Sequence, residues 1–421
     1  MTESMNPAVA ARLDEADGLA GFRDQFHIPR SSSGENVIYF TGNSLGLQPK
    51  SVRGYIEQEL KDWELLGVEG HVKARHPWMP YHEFLTAQMA NVVGAKPIET
   101  VVMNSLTVNL HMLMISFYRP SGDRFKVLIE KGSFPSDRYA VEAQIKLHGF
   151  DPESALIELG PRDGETTLRT EDIIDTIERE GATIALIMLG GVNYYTGQAF
   201  EMREITAAGH AAGALVGFDL AHAAGNLELK LHDWGVDLAV WCSYKYLNGG
   251  PGAIGAAFVH ERHADCPELP RLAGWWGHNK GTRFLMGPTF DPISGAEGWQ
   301  ISNPPILQMA ALRASLEIFA EAGMFALREK SIKLTAYLEQ LLAAVDDERI
   351  SVITPGDPDQ RGCQLSIRVK NADKGLYSAI AAHGVVADWR EPDVIRVAPV
   401  PLYNSFGDVQ KFVQILGSVL N

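Results

Sequence analysis

Short apolar runs recur through the middle of the chain, and each is continuous rather than alternating. They are TVVMN (100–104), KVLIE (126–130), ALIEL (155–159), TIALIML (183–189), ALVGFD (214–219) and LAVWCSY (238–244). Unbroken hydrophobicity marks strands buried on both faces, as in a mostly parallel sheet covered by helices. Stretches of helical period separate several of them, at 136–148, 170–180 and 201–212. The expected fold class is therefore α/β, a mostly parallel central sheet with helices on both faces. Upstream, residues 8–26 read as an amphipathic helix, VIYF (37–40) as a strand running into the turn signal TGNSLG, and 51–66 and 80–92 as helices.

Past about residue 300 the pattern changes. Two helical stretches (306–322 and 325–345) come in succession, followed by short strand signals at 350–354, 363–369, 385–389 and 394–398 and a last helix over 407–420. That predicts a smaller α+β C-terminal domain. Three units follow: an N-terminal segment (1–50) packing on the small domain, a large domain (51–305) and the small domain (306–421). The NPP run at 303–305 marks either a hinge or a helix start.

Composition narrows the classes. At 421 residues the chain exceeds the size at which single cores usually stop growing. It is 46% hydrophobic and 21% charged, ordinary for a soluble protein. A net charge of -15 with no Lys/Arg run argues against nucleic acid as a partner. Cys242, Cys266 and Cys363 are odd in number and widely spaced, which fits a reducing, cytoplasmic setting and gives no metal-ligand spacing. The N-terminus lacks the basic start and apolar stretch of a signal peptide, and no apolar run approaches a membrane span. No metal and no membrane partner are expected.

The chemistry concentrates in VGFDLAHAAGN (216–226) and WCSYKYLNGGPGAIG (241–255). One buried strand is expected to end in Asp219, the next in Tyr244 and Lys245. Carboxyl ends of strands are where open α/β sheets bind ligands. An acid and a lysine at one edge suit pyridoxal phosphate (PLP), which needs a lysine for its aldehyde and an acid to keep its ring nitrogen protonated. For an isolated pair, a plain salt bridge is the commoner explanation. The Asn-Gly-Gly-Pro-Gly run after Lys245 shifts the balance, because glycines let backbone approach a ligand closely. A phosphate site is readable where the strand at 100–104 runs into Ser105 and Thr107 at a helix start, although an ordinary cap is the commoner reading of such residues. No GxxxxGK[ST] or GxGxxG pattern supports a nucleotide.

Together SLTVNLH (105–111), FPSDRYA (134–140), GVNYYTGQ (191–198), DLAH (219–222), SYKYLNGGPG (243–252), GWWGH (274–278), SNPP (302–305) and RVAPVPLYN (396–404) resemble the kynureninase family. The resemblance spans about residues 37–415. It implies the PLP fold type I architecture, PLP as cofactor, a homodimer with sites at the subunit interface, and hydrolysis of kynurenine or 3-hydroxykynurenine to L-alanine and anthranilate or 3-hydroxyanthranilate.

It also implies roles for individual residues. Lys245 resembles the Schiff-base lysine and Cα-proton base, and Asp219 the partner of the ring nitrogen. His222 is placed on the side of the ring hydroxyl, and Leu106 and Thr107 at the phosphate helix. Phe134, followed by Pro135 and Ser136, resembles the stacking aromatic, and Asp137 closes that motif. Tyr244 resembles a phosphate contact that also shuttles protons. Trp275 resembles a phosphate-side residue supplied by the partner subunit. Gly190 falls where relatives often carry Ser or Thr, so one hydroxyl contact is missing there. Arg396 resembles the arginine gripping the substrate carboxylate, for which its planar fork is suited. His71 and Asn303 match positions facing the substrate's aromatic ring, and Asn303 also borders the cofactor. Their polar groups predict a preference for the 3-hydroxy substrate.

Each role has a plainer rival: core packing for Phe134 and Trp275, a solvated loop for His71, a strand's outer face for Arg396. Rival functions are a cysteine desulfurase, an aminotransferase or a catalytically dead scaffold of the same fold. A desulfurase needs a mobile nucleophilic cysteine. Cys363 instead lies in RGCQLSIRV, which alternates like a half-buried strand, where cysteines are usually inert.

Overall fold

All six continuous apolar runs become strands of one seven-stranded sheet in the computed structural model, which describes residues 6–266 and 268–420. Across the sheet the order is Thr100–Val102, Ala256–Val259, Leu238–Trp241, Leu215–Asp219, Ile184–Gly190, Lys126–Glu130 and Leu156–Leu159. Pairing is parallel from Leu238–Trp241 through to Leu156–Leu159. Ala256–Val259 runs antiparallel to both its neighbours. This seventh strand was not expected, because AAFV follows directly on the glycine-rich run and reads as its tail.

Alternate residues of each strand feed two cores, which is why the runs are unbroken. Leu128, Ile187, Val216, Phe218 and Trp241 join the core that includes Met89, Ile177, Ile205 and Leu312. Val127, Ile129, Leu186, Met188 and Val240 join the opposite core with Leu113, Phe117, Val141 and Ile145. Each fully buried Leu, Ile, Val or Phe contributes about 1.5–3 kcal/mol, so both helical layers are held firmly.

The C-terminal part carries a four-stranded antiparallel sheet in the order Ile350–Val352, Leu365–Val369, Val394–Val397, Asp388–Arg390. Its apolar cluster takes in Leu338, Ile367, Ile395 and Phe412 together with Ala10, Ile38 and Phe40 from the N-terminal segment. The expected helix over 8–26 is shorter: Pro7–Glu15, then a 3-10 stretch, Ala20–Gln25. Asp17 explains the break, since its carboxylate accepts the Leu19 N–H at 2.9 Å and gives the backbone an alternative to the helix. Asp14 in turn accepts from the Phe406 and Gly407 amides and caps the last helix, Phe406–Leu420. Among the described residues, no helix is long and apolar enough to cross a membrane.

Candidate active site

Three parallel strands end in Glu130, Gly190 and Asp219, side by side on one edge of the sheet. The neighbouring strand stops at Trp241, three residues before Tyr244, rather than running on to it. Ser243 turns the chain there: its hydroxyl donates to the Ile254 carbonyl at 2.6 Å and its carbonyl accepts from Gly249 N at 2.8 Å. A Cβ on Gly249 would sit 2.5 Å from Ser243 Oγ, so glycine is required for this folded loop. The loop delivers Lys245 over the strand ends.

The resulting cleft, open to solvent on one side, is lined by Leu106, Thr107, Phe134, Ser136, Asp137, Gly190, Asp219, His222, Tyr244 and Lys245, all anticipated from sequence. Glu130, Val192, Tyr194 and Ala221 line it as well and were not anticipated. Lys245 Nζ lies 3.0 Å from His222 Nε2 and 5.8 Å from the centroid of the Phe134 ring. Burial and the nearby Lys245 charge push the His222 pKa well down, so the ring is neutral. Lys245 then donates to Nε2, the proton sits on Nδ1, and that buried Nδ1 has no partner.

Three carboxyl groups share this small space. Burial raises Asp219, while the Asp137 hydrogen bond, the Ala221 N–H at 2.7 Å and the Lys245 charge pull it back. Burial and then the adjacent Asp219 push Asp137 well above the ordinary range. A proton therefore stays on Asp137, and Asp137 Oδ1 is buried without a partner. Glu130, 4% exposed, is pushed up to about 7 by burial. At the opposite wall Thr107 Oγ1 and Ser136 Oγ lie 2.9 Å apart. They sit in the first turns of the helices Leu106–Phe117 and Pro135–Leu147, so two helix N-termini converge on one spot. Unpaired helix-start amides and hydroxyls there favour an anion.

Arg396 is buried in Val394–Val397, behind Tyr194 rather than on the cleft wall. Its Nη1 donates to the Tyr194 carbonyl, its Nη2 pairs with Asp388, and its Nε is buried without a partner. Burial lowers its pKa to about 10, so it stays charged at neutral pH. Four expected residues lie elsewhere in the chain. Pro135 occupies the first position of its helix. His71 bonds the Val68 carbonyl at 3.0 Å and packs edge-on against Trp78. Trp275 is 42% exposed beside Trp276 and Phe284. Asn303 borders a separate pocket with Ser105 and Gly252. The Cys363 thiol is fully buried and pushed up to about 12 by burial, which removes it as an accessible nucleophile.

Relatives match the chain over nearly their whole length. The chain is 62% identical to the kynureninase of Koribacter versatilis, covering 98% of this chain and 97% of that protein. It is 60% identical to the kynureninase of Myxococcus xanthus, covering 97% and 96%. The chain belongs to the kynureninase family. The model of the kynureninase C-terminal domain matches residues 327–416. Among solved structures, a C-DES variant with glycine covalently linked to its PLP cofactor is similar with a TM-score of 0.78 at 17% identity, covering 94% of this chain and 98% of that one. At that identity the likeness speaks for the fold, and this kynureninase-family chain has the fold type I architecture.

Proposed function

We propose that this chain is a PLP-dependent kynureninase, hydrolysing the Cβ–Cγ bond of L-kynurenine or its 3-hydroxy form to L-alanine and the corresponding anthranilate. The observation that carries the reading is the convergence of Lys245, Asp219 and His222 on a cleft whose buried Asp137 Oδ1 and His222 Nδ1 lack partners. Buried polar atoms normally find partners, so those left over point to a polar group that the site is built to receive. PLP fits. The paired helix starts with Thr107 and Ser136 suit its phosphate, Phe134 its ring face, Asp219 its ring nitrogen, His222 its ring hydroxyl and Lys245 its aldehyde.

Bound PLP supplies an electron sink for negative charge at the substrate Cα. The remaining work falls to the chain. Lys245, whose amine would hold the PLP aldehyde, would also be the base that removes the substrate's Cα proton. His222, neutral and 3.0 Å away, accepts a hydrogen bond from that amine and steers it. Arg396 receives the α-carboxylate through its unpartnered Nε. Burial raises the Tyr244 pKa, so the hydroxyl keeps its proton and can deliver it in the later steps. A Tyr244→Phe variant with unchanged turnover would refute that last role.

The test is direct: incubate the protein with PLP and kynurenine and follow anthranilate fluorescence. Visible cofactor absorbance abolished by borohydride, together with anthranilate release, is expected. Colourless protein after PLP incubation supports a dead scaffold, and keto-acid release an aminotransferase.

We further place the active form as a cytoplasmic homodimer. Trp275, Phe284, Leu285 and Met286 expose apolar surface, 42% to 75% each, and His71, Trp275 and Asn303 lie outside the cleft, free to complete a partner's. Light scattering should give twice the mass of the chain. With His71 and Asn303 facing the substrate ring, the 3-hydroxy substrate has the higher kcat/KM; equal values would overturn that preference.

A further inference from the structure

The segment GVNYYTGQ (191–198) lies between the cleft, which its Val192 and Tyr194 line, and Arg396, which its Tyr194 carbonyl holds. It leaves the strand Ile184–Gly190 and folds on one side chain. Asn193 Oδ1 accepts from Tyr195 N (3.0 Å), Thr196 N (2.9 Å) and Thr196 Oγ1 (3.1 Å). With its acceptor used inward, Asn193 points its donor the other way: Nδ2 donates to Glu130 Oε2 at 3.1 Å. The turn then offers three consecutive carbonyls to the C-terminal sheet. Tyr194 O accepts from Arg396 Nη1, Tyr195 O from Ser366 Oγ and Thr196 O from Thr354 Oγ1. Each of these donors lies on or beside a strand of that sheet.

Glu130 has few alternatives. It is 4% exposed, and its Oε1 lies 3.0 Å from where a Cβ on Gly190 would be. A glycine at 190 therefore leaves the carboxyl group its place against the strand end. Arg396 is held from two sides, by the Tyr194 carbonyl and by Asp388. Loss of the first leaves Asp388 as the remaining anchor and draws the guanidinium toward it.

We propose that Glu130 and Asn193 are positioning residues for Arg396: a tie from the cofactor cleft through the Asn193 turn sets the guanidinium that receives the substrate carboxylate. The proposal rests on the kynureninase reading above. It assigns work to Asn193 and to Glu130, which lines the cleft, and it predicts that their loss is felt at the substrate carboxylate.

The experiment uses the holoenzyme. Wild type and Arg396→Gln are measured first; a wild type that does not turn over kynurenine, or an Arg396→Gln variant with unaltered KM, overturns the functional reading itself. Glu130→Ala and Asn193→Ala are then expected to raise KM for kynurenine about tenfold, with kcat within about threefold and cofactor absorbance retained. Glu130→Gln, whose amide oxygen still accepts from Asn193, recovers most of the loss. Inhibition constants for a kynurenine-shaped amine lacking the carboxylate should not move. In the Arg396→Gln background, Glu130→Ala should add less than about twofold, because both changes remove the same interaction. If Asn193→Ala does not fold, the Glu130 variants carry the test alone, since the turn's three inward bonds survive in them. Additive losses in the double variant, or equal weakening of the amine and the carboxylate ligands, would overturn the tie and leave the functional reading standing.

Discussion

Buried carboxylates sit at both edges of the central sheet, and they are treated oppositely. At the amino ends of the strands, Asp237 is 1% exposed and fully supplied with donors: His210 Nε2, Val216 N, Arg262 and His263 Nε2, at 2.7–3.1 Å. Burial pushes its pKa up, but the two histidines, Arg262 and the backbone amide outweigh burial and hold it well below the usual range. At the carboxyl ends, Glu130, Asp137 and Asp219 are raised, because burial is not matched by donors. A satisfied buried acid is part of the frame; an undersupplied one stores unfavourable energy until a ligand arrives. The difference separates the two edges even though both carry buried carboxylates at strand ends.

The largest effect should come at the undersupplied edge. Lys245→Ala is expected to reduce kynurenine turnover by at least about 10³-fold, without lowering the melting temperature of the cofactor-free protein. A marked fall in that melting temperature would mean that Lys245 belongs to the frame.

Removing Asp237 should do the reverse. Asp237→Ala strands Arg262 and two histidines and should cost about 3–5 kcal/mol in denaturant unfolding. Turnover per folded molecule should be unaltered. A stability change under about 1 kcal/mol would erase the contrast.

The two edges should also answer pH with opposite slopes. Glu130 has its folded pKa raised to about 7 from 4.5, with Asp219, Asp137, Lys245, Asn193 and the Gly190 amide facing it. In the cofactor-free protein its contribution is fully present below its unfolded pKa and is lost as pH rises through about 7. At about 1.4 kcal/mol per pH unit the loss is about 3 kcal/mol, and Glu130→Gln should flatten it. Asp237, depressed, contributes above its unfolded pKa and loses that contribution only as pH falls below about 4. Unfolding curves from pH 3 to 8 on wild type and the two variants would show both limbs or refute them.

Cys363 gives the smallest and most pointed check. Its thiol is raised too, yet it does not line the active-site cleft. Cys363→Ala should leave kcat/KM within about twofold and cost about 1 kcal/mol of stability. A lost activity would revive a nucleophilic role for it.

Much of the fold was legible because both cores depend on local chemistry. Unbroken runs such as TIALIML have no polar face to offer water, so they read as doubly covered strands wherever they occur. The motif residues were legible for a related reason. Asp219 ends its strand and Lys245 stands in the loop after the next one, ahead of glycines that matter only if something must come close. Ala256–Val259 was hidden, since four small and apolar residues behind a glycine run carry no period, and its pairing comes from the neighbouring strands. Glu130 was hidden as well. At the end of KVLIE it reads as the polar stop of an ordinary strand.

By itself, then, the sequence determined the layers, most of the strands and ten of the residues that line the cleft, because period and motif are properties of contiguous residues. Tertiary structure alone decided which acids are satisfied and which are not. Asp237 gathers donors from positions 210, 216, 262 and 263, Glu130 meets Asn193 across 63 residues, and Arg396 meets Tyr194 across 202. Donor supply to a buried charge is a sum over neighbours that are distant in the chain, and only the packed fold assembles that sum.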